Sequence, residues 1–201
     1  MEQYFKEAID LQHAILRDKV LLDALKESVA LIEGCLKRGH KLLIAGNGGS
    51  AADAQHFAAE LVGRFKKERK AYPALALTVD TSIITAWSND YSFESVFARQ
   101  IEAYGNAGDI FIGISTSGNS SNLLAAVKEA KEKGIFSLCL LGRGGGALKD
   151  ICDKALIVPS DNIPRIQEVH EMLLHIICEE VERGLVGAEA AHENTLHHVL
   201  S

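Results

Sequence analysis

Asp53, His56, Glu60 and Arg64 follow one another at steps of three, four and four. That spacing puts side chains on one stripe of an α-helix. Most residues between them are alanine or apolar, so the stripe is a polar line on an otherwise buried helix. Such a line has to face water, a partner or a site. A histidine and a glutamate four residues apart, as in His56 and Glu60, can hold one divalent cation. Ordinary helix surfaces carry the same spacing, so spacing alone leaves the metal open. A second stripe, Gln167, Glu171 and His175, runs at steps of four near the other end of the chain, with Glu168 and His170 off the line. If the two helices meet at a sheet edge or across a subunit boundary, His56, Glu60, Gln167 and His175 would form one site. Glutamine is an uncommon zinc ligand, which is a further reason that spacing does not prove a metal.

Two loops carry anion-binding chemistry. Ser115-Thr116-Ser117-Gly118-Asn119-Ser120 follows an apolar run and precedes a helical one, with four hydroxyls in six residues. Free N–H groups at a helix start and the helix dipole favour an anion there, and hydroxyls add donors. The loop has no lysine, so it is not a P-loop, and no glycine loop of the chain fits the dinucleotide fingerprint. A small phosphorylated metabolite suits it better than a nucleotide. Gly46-Asn47-Gly48-Gly49-Ser50 is a tight turn between an apolar run and the first polar-striped helix. Gly142-Arg143-Gly144-Gly145-Gly146 reads as a flexible turn.

These residues need a scaffold, and the hydrophobic pattern provides one. Leu11, Ile15, Leu21, Leu22, Leu25, Val29, Ile32 and Leu36 recur at helical spacing, which predicts two amphipathic helices before Gly39. They precede the first strand and so cannot be crossovers. They pack outside the sheet or, the preferred reading, against another subunit. Strands are predicted at 42–45, 74–79, 110–114, 136–141 and 155–158. Helical stretches lie between them, and a last helix opens at Pro164 and runs to about Arg183. Strands apolar on both faces that alternate with helices give an α/β fold, a five-stranded parallel sheet covered on both sides as a three-layer sandwich. Ligands of such sheets bind beyond the carboxyl ends of the strands, where the 46–50 and 115–120 loops lie. No linker or repeat divides the chain.

The bulk composition is that of a soluble globular protein of 201 residues, 47% hydrophobic and 24% charged, with a net charge of −6. That balance gives no sign of nucleic-acid binding. The one basic run, Lys66-Lys67-Glu68-Arg69-Lys70, reads as a solvated loop. Cys35, Cys139, Cys152 and Cys178 form no C-x-x-C pair and sit among apolar residues. They read as reduced thiols in a reducing compartment. The first residues lack the apolar core of a signal peptide, and no apolar run reaches spanning length. The expected location is cytoplasmic, without membrane contact.

The segment from Gly46 to Glu60, Gly-Asn-Gly-Gly-Ser-Ala-Ala-Asp-Ala-Gln-His-Phe-Ala-Ala-Glu, resembles the signature of the phosphoheptose isomerase family within the sugar-isomerase (SIS) domain superfamily. Asn89-Asp90, the 113–120 block and Arg165-Ile166-Gln167-Glu168-Val169-His170 resemble it too, in the same order. The likeness spans 2–183, implying one SIS domain at 1–183 (N-terminal helices 1–38, α/β core 39–183) and a tail at 184–201. The resemblance implies a flavodoxin-like sheet, a homotetramer and one Zn2+ per site, held by His56, Glu60, Gln167 and His175. It implies that Asn47, Gly48, Gly49, Asn89 and Asp90, with Glu60 and Gln167 from the metal set, hold the sugar. Ser115, Thr116, Ser117 and Ser120 would hold its phosphate. The implied reaction converts sedoheptulose 7-phosphate to D-glycero-D-manno-heptose 7-phosphate through an enediol, with Glu60 as base and His175 as acid. Pro164 stands where some members carry an acid. His192, His197 and His198 in the tail read as a surface helix or a frayed end.

The competing class is a non-catalytic tetrameric adaptor of the same superfamily that binds the bacterial replication initiator. That branch lacks a glutamate, a serine and a histidine at the positions of Glu60, Ser117 and His175, all present here.

Overall fold

A strand buried on both faces reads as an unbroken apolar run. Three such runs, β1 (Leu42–Gly46), β3 (Ile110–Ser115) and β4 (Phe136–Leu141), form the middle of the sheet in the computed structural model. β2 (Ala74–Ala76) and β5 (Lys154–Ile157) are its edges. Every pairing is parallel and the order is β2-β1-β3-β4-β5, the flavodoxin-like order of doubly wound sheets. The structure describes residues 1–199, and the side chains of residues 1–187.

The two-residue period of the strands divides their side chains between two cores. Leu42, Ile44, Ile112, Ile114, Leu138 and Leu140 face a layer built from α1 (Glu2–Arg17), α2 (Lys19–Lys37), α3 (Gly49–Val62) and α7 (Ile163–Val199). Leu43, Ala45, Phe111, Cys139 and Leu141 face α5 (Val96–Tyr104) and α6 (Ser121–Glu132). Between β2 and α5, α4 (Thr81–Asp90) buries none of its residues.

The N-terminal helices divide in role. α2 puts Leu21, Leu25, Ile32, Cys35 and Leu36 into the sheet-facing core. At roughly 1.5–3 kcal/mol for each large apolar side chain buried, it is part of the domain and not only a subunit contact. α1 buries only Leu11 and Ile15, while its Phe5 and Leu16 are 72% and 69% exposed, and Val20 at the start of α2 is 81% exposed.

Two boundaries differ from the sequence reading by more than one residue. β2 stops at Ala76 instead of continuing to Val79. One further bond, from the Leu77 N–H to the Ile44 carbonyl, follows it before the chain turns into α4. α7 does not stop near Arg183 but continues to Val199. Gly184 looks like a helix stop in sequence, yet a Cβ there would collide with the Glu33 carboxyl, so the glycine serves close packing of α7 on α2. The tail's backbone is therefore helical as far as Val199, and the side chains of His192, His197 and His198 lie outside the described ones. Cys35, Cys139, Cys152 and Cys178 are free thiols, the first two and the last buried.

His170 points into the core of this layer and is fully buried. Its Nε2 lies 3.1 Å from the Leu141 carbonyl and its Nδ1 has no partner. Burial pushes its pKa down to about 4, against a smaller opposite pull from that carbonyl. The unfolded chain takes up this proton near the ordinary histidine value and the folded one only near 4. Stability through this group is therefore full at neutral pH and falls as pH drops between those two values. Replacing His170 with Gln removes the titration. The stability difference between wild type and variant, from urea unfolding, is expected to shrink by about 2 kcal/mol between pH 7 and pH 5. A difference that stays constant would mean that His170 takes up its proton as readily in the folded chain as in the unfolded one.

Candidate active site

Alanines at 51, 52, 54, 58 and 59 let α3 lie close on the sheet. Its buried side is Ser50, Asp53, Ala54, Phe57, Ala58 and Leu61. His56 and Glu60 flank that side, half-exposed and nearer to buried respectively. On α7 the buried line is Ile166, Val169, His170, Leu173, Leu174 and Ile177, and the flank beside it carries Gln167, Glu171 and His175. The two helices pack against each other within one layer, and their flanking stripes meet.

His56 is the centre of the meeting. Its Nε2 lies 3.1 Å from Glu60 Oε1 and its Nδ1 lies 2.5 Å from Glu171 Oε1. The same Glu171 oxygen is 3.3 Å from His175 Nε2. The two imidazoles meet edge to face with centroids 5.0 Å apart, and the Phe65 ring lies 5.7 Å from His175. His56, Glu171 and His175 thus offer three ligand atoms within 4.8 Å of one another. Asp53 sits behind them, 7% exposed, with Oδ2 unpartnered. Burial first, and then the charge of Glu171, push its pKa up to about 6. Ionised, Asp53 and Glu171 are both acceptors, so a hydrogen bond between them needs a proton on one.

Three carboxyls around two imidazoles form a group that a cation would relieve. Nitrogen and oxygen donors together suit a borderline ion of the zinc kind rather than the all-oxygen cages of calcium or magnesium. These residues fit a transition-metal-type ion on that chemistry and on the unpaired buried oxygen of Asp53.

The remaining predicted residues are placed as follows. Gln167 lies over the start of α3, where a Cβ on Gly49 would collide with its amide. With Asp53, Pro164, Glu168 and Glu171 it lines an open cleft of about 510 Å³. Gly48 turns the chain with φ of 57°. Asn47 and Asn122 exchange two amide hydrogen bonds, of 2.9 and 2.8 Å, tying the first loop to α6. In the serine loop, the Ser115 hydroxyl is 3.4 Å from that of Ser117 and 3.2 Å from that of Ser120. Thr116 is half-buried beside them. Ser120 caps α6 without a side-chain bond, which leaves the first-turn N–H groups free of a side-chain acceptor. Gly118, at φ of 67°, packs against the backbone of Gly145, so the 142–146 loop braces the serine loop. Asn89 and Asp90 stand exposed at the end of α4, bonded to each other at 2.8 Å. Among the described residues neither bonds to the histidine–glutamate cluster.

Sequence reasoning set two residues aside. Glu171 lies on the α7 stripe, and spacing could not say which member of the stripe comes nearest His56. Arg69 stands in the charge run read as a solvated loop, but its side chain is 2% exposed and paired with Glu182 at 3.1 Å. The signal for Arg69 was the acid Glu182 on the buried side of α7, 113 residues away.

A doubly wound sheet with hydroxyl-rich and glycine-rich loops at its carboxyl edge is the architecture of a SIS-domain protein. The family model described as SIS domain matches residues 3–141. A phosphoheptose isomerase of Clostridium acetobutylicum is 49% identical over 93% of this chain and 95% of its own length. One from Helicobacter pylori is 55% identical over 87% and 88%. The solved phosphoheptose isomerase of Neisseria gonorrhoeae superposes with a TM-score of 0.85 at 42% identity, covering 90% of this chain and 96% of that one. The chain belongs to the phosphoheptose isomerase family.

Proposed function

We propose that this protein is an aldose–ketose isomerase that converts D-sedoheptulose 7-phosphate to D-glycero-D-manno-heptose 7-phosphate, for bacterial surface heptose in lipopolysaccharide core or capsule. The observation that supports this reading is the meeting of α3 and α7, where Glu60, read as the base, lies 3.1 Å from His56 and His175, read as the acid, meets the same ring edge to face at 5.0 Å. Isomerisation of a ketose moves a proton from C1 to C2 through an enediol. It needs a base at the carbon, an acid at the oxygen and positive charge where oxyanion charge develops.

Glu60 takes the C1 proton and returns it at C2, and His175 handles the proton on the oxygen. Asn47, Gly48 and Gly49, with Asn89 and Asp90, hold the sugar. Ser115, Thr116, Ser117 and Ser120 hold the phosphate beside the free N–H groups of α6. This remote binding aligns the reacting carbons. The metal ligands are His56, Glu60, Gln167 and His175, and the ion is zinc. When bound it supplies Lewis-acid polarisation of the substrate oxygens.

The protein works as a cytoplasmic homotetramer and binds neither nucleic acid nor membrane. The exposed apolar residues Phe5 and Leu16 of α1 and Val20 of α2 support subunit packing, and no helix of the described residues is long and apolar enough to cross a membrane. The domain limits are 1–183 for the SIS domain and 184–201 for the tail. The enzyme reading is favoured over the adaptor by Glu60, Ser117 and His175, and by relatives named as phosphoheptose isomerases.

The test is a metal analysis of purified protein beside an isomerase assay on sedoheptulose 7-phosphate and a pull-down with the replication initiator. Turnover is expected, falling about tenfold or more on exhaustive chelation and returning with zinc. Turnover untouched by chelation would remove the metal from the reaction. No turnover, together with retention of the initiator, would make the protein the adaptor.

A further inference from the structure

We propose that Glu171 is a positioning residue of the metal site, a carboxylate that accepts a hydrogen bond from one nitrogen of His56 and so turns the other toward Glu60 and the cation. This rests on the metal reading above. His56 is held on both sides, with Glu171 at Nδ1 and Glu60 at Nε2. A neutral imidazole has one bare nitrogen and one that carries the proton, and only the bare one can bind a metal. The two carboxylates therefore cannot play the same part toward this ring.

Glu60 is four residues from His56 on the same helix and shares its Nε2 side, which makes that side the chelate. The 2.5 Å contact puts a Glu171 carboxyl oxygen within hydrogen-bonding reach of Nδ1. Histidines that bind metals commonly donate their second N–H to a carboxylate, which fixes the tautomer and strengthens the ligand. Glu171 also reaches the His175 ring at 3.3 Å, so one oxygen sets the orientation of both imidazoles. The spacing of α7 delivers it there, since Glu171 and His175 are one helical turn apart. Asp53 and Glu171 line the same cleft, and the buried, unpartnered Oδ2 of Asp53 adds negative potential behind the site.

The test uses the full chain carrying Glu171→Leu and Glu171→Gln, with zinc affinity measured by competition against a chromophoric chelator and visible spectra recorded on the cobalt-substituted protein. Wild type is expected to bind zinc, and the Leu variant to bind it about 10- to 100-fold more weakly. The Gln variant keeps an amide oxygen that accepts from Nδ1–H. It should recover most of that affinity and give cobalt bands at wild-type positions, because no ligand has changed. A Leu variant that binds zinc as tightly as wild type would overturn the proposal. So would shifted cobalt bands in the Gln variant, which would make Glu171 a ligand itself. If the Leu variant does not fold, the Gln spectrum decides alone. A wild-type protein that binds no divalent cation would overturn the metal site, a failure distinct from the other two.

Discussion

Glu60→Gln is expected to lose about a thousandfold or more in turnover of sedoheptulose 7-phosphate, with the sugar phosphate still bound within a few-fold of wild type. General-base removal costs roughly 10² to 10⁴ in rate. The upper half of that range applies here because Glu60 is also one of the groups assigned to the cation. The change is nearly isosteric and leaves the serine loop and Asn47 untouched, so binding is largely kept. Glu60 is held at 3.1 Å by His56, and its helix is anchored at the far end by Arg69. Neither contact needs its charge to keep the backbone in place. Metal content measured on the same variant divides the loss between its two roles. A variant that keeps its zinc and loses turnover has lost the base, and one that loses both has lost a ligand. Full activity would remove Glu60 from the chemistry.

Arg69→Ala is expected to destabilise the fold by about 3–5 kcal/mol, the cost of leaving one half of a buried ion pair alone. Arg69 and Glu182 are 2% and 3% exposed and lie 3.1 Å apart. The guanidinium donates to the carbonyls of Glu60, Leu61, Gly63 and Lys70, three of them at the C-terminal end of α3. The Glu182 carboxylate in turn accepts the N–H groups of Phe65, Lys66 and Lys67, at 3.0, 2.8 and 2.9 Å. Removing the arginine strips carbonyls of their donor and leaves a buried carboxylate without its guanidinium partner. Burial pushes the Glu182 pKa up, but the N–H groups and the Arg69 charge outweigh it and hold the group below its ordinary value. A lowered carboxylate contributes stability above its ordinary pKa and loses it as pH falls through the folded one. The penalty of Arg69→Ala, from urea unfolding, is therefore expected to be largest near neutral pH and to narrow in acid. A cost under about 1 kcal/mol would place the pair among ordinary surface bridges.

The sheet was legible because its central strands are apolar on both faces, so 42–45, 110–114 and 136–141 have no other use. Edge strand β2 was drawn too long because its apolar letters continue past its last pairing residue. The last helix, in contrast, was drawn too short, to about Arg183 instead of Val199. Glycine marks a helix end in sequence, and only the position of Glu33 on another helix shows that Gly184 serves packing instead. In the site, helical spacing sufficed to put His56 with Glu60 and Glu171 with His175. It could not set the rotation of one helix against the other, and that rotation places Glu171 rather than Gln167 against the His56 ring. Arg69 was out of reach for a related reason. Five consecutive residues, four of them basic, give no hint which one turns inward when its partner is more than a hundred positions away.

The long span between the Phe65–Lys67 loop and Glu182 also has a meaning in time. These bonds join positions 115 to 117 residues apart. Closing so long a loop costs chain entropy before any contact offsets it, and contacts of that kind form late. During synthesis α3 leaves the ribosome with β1 and can settle on the growing sheet, but of the proposed metal ligands it carries only His56 and Glu60. His175 follows more than a hundred residues later. A partly made chain thus holds one member of the proposed acid–base pair without the other, and chemistry on the sugar is expected only once the last helix has docked.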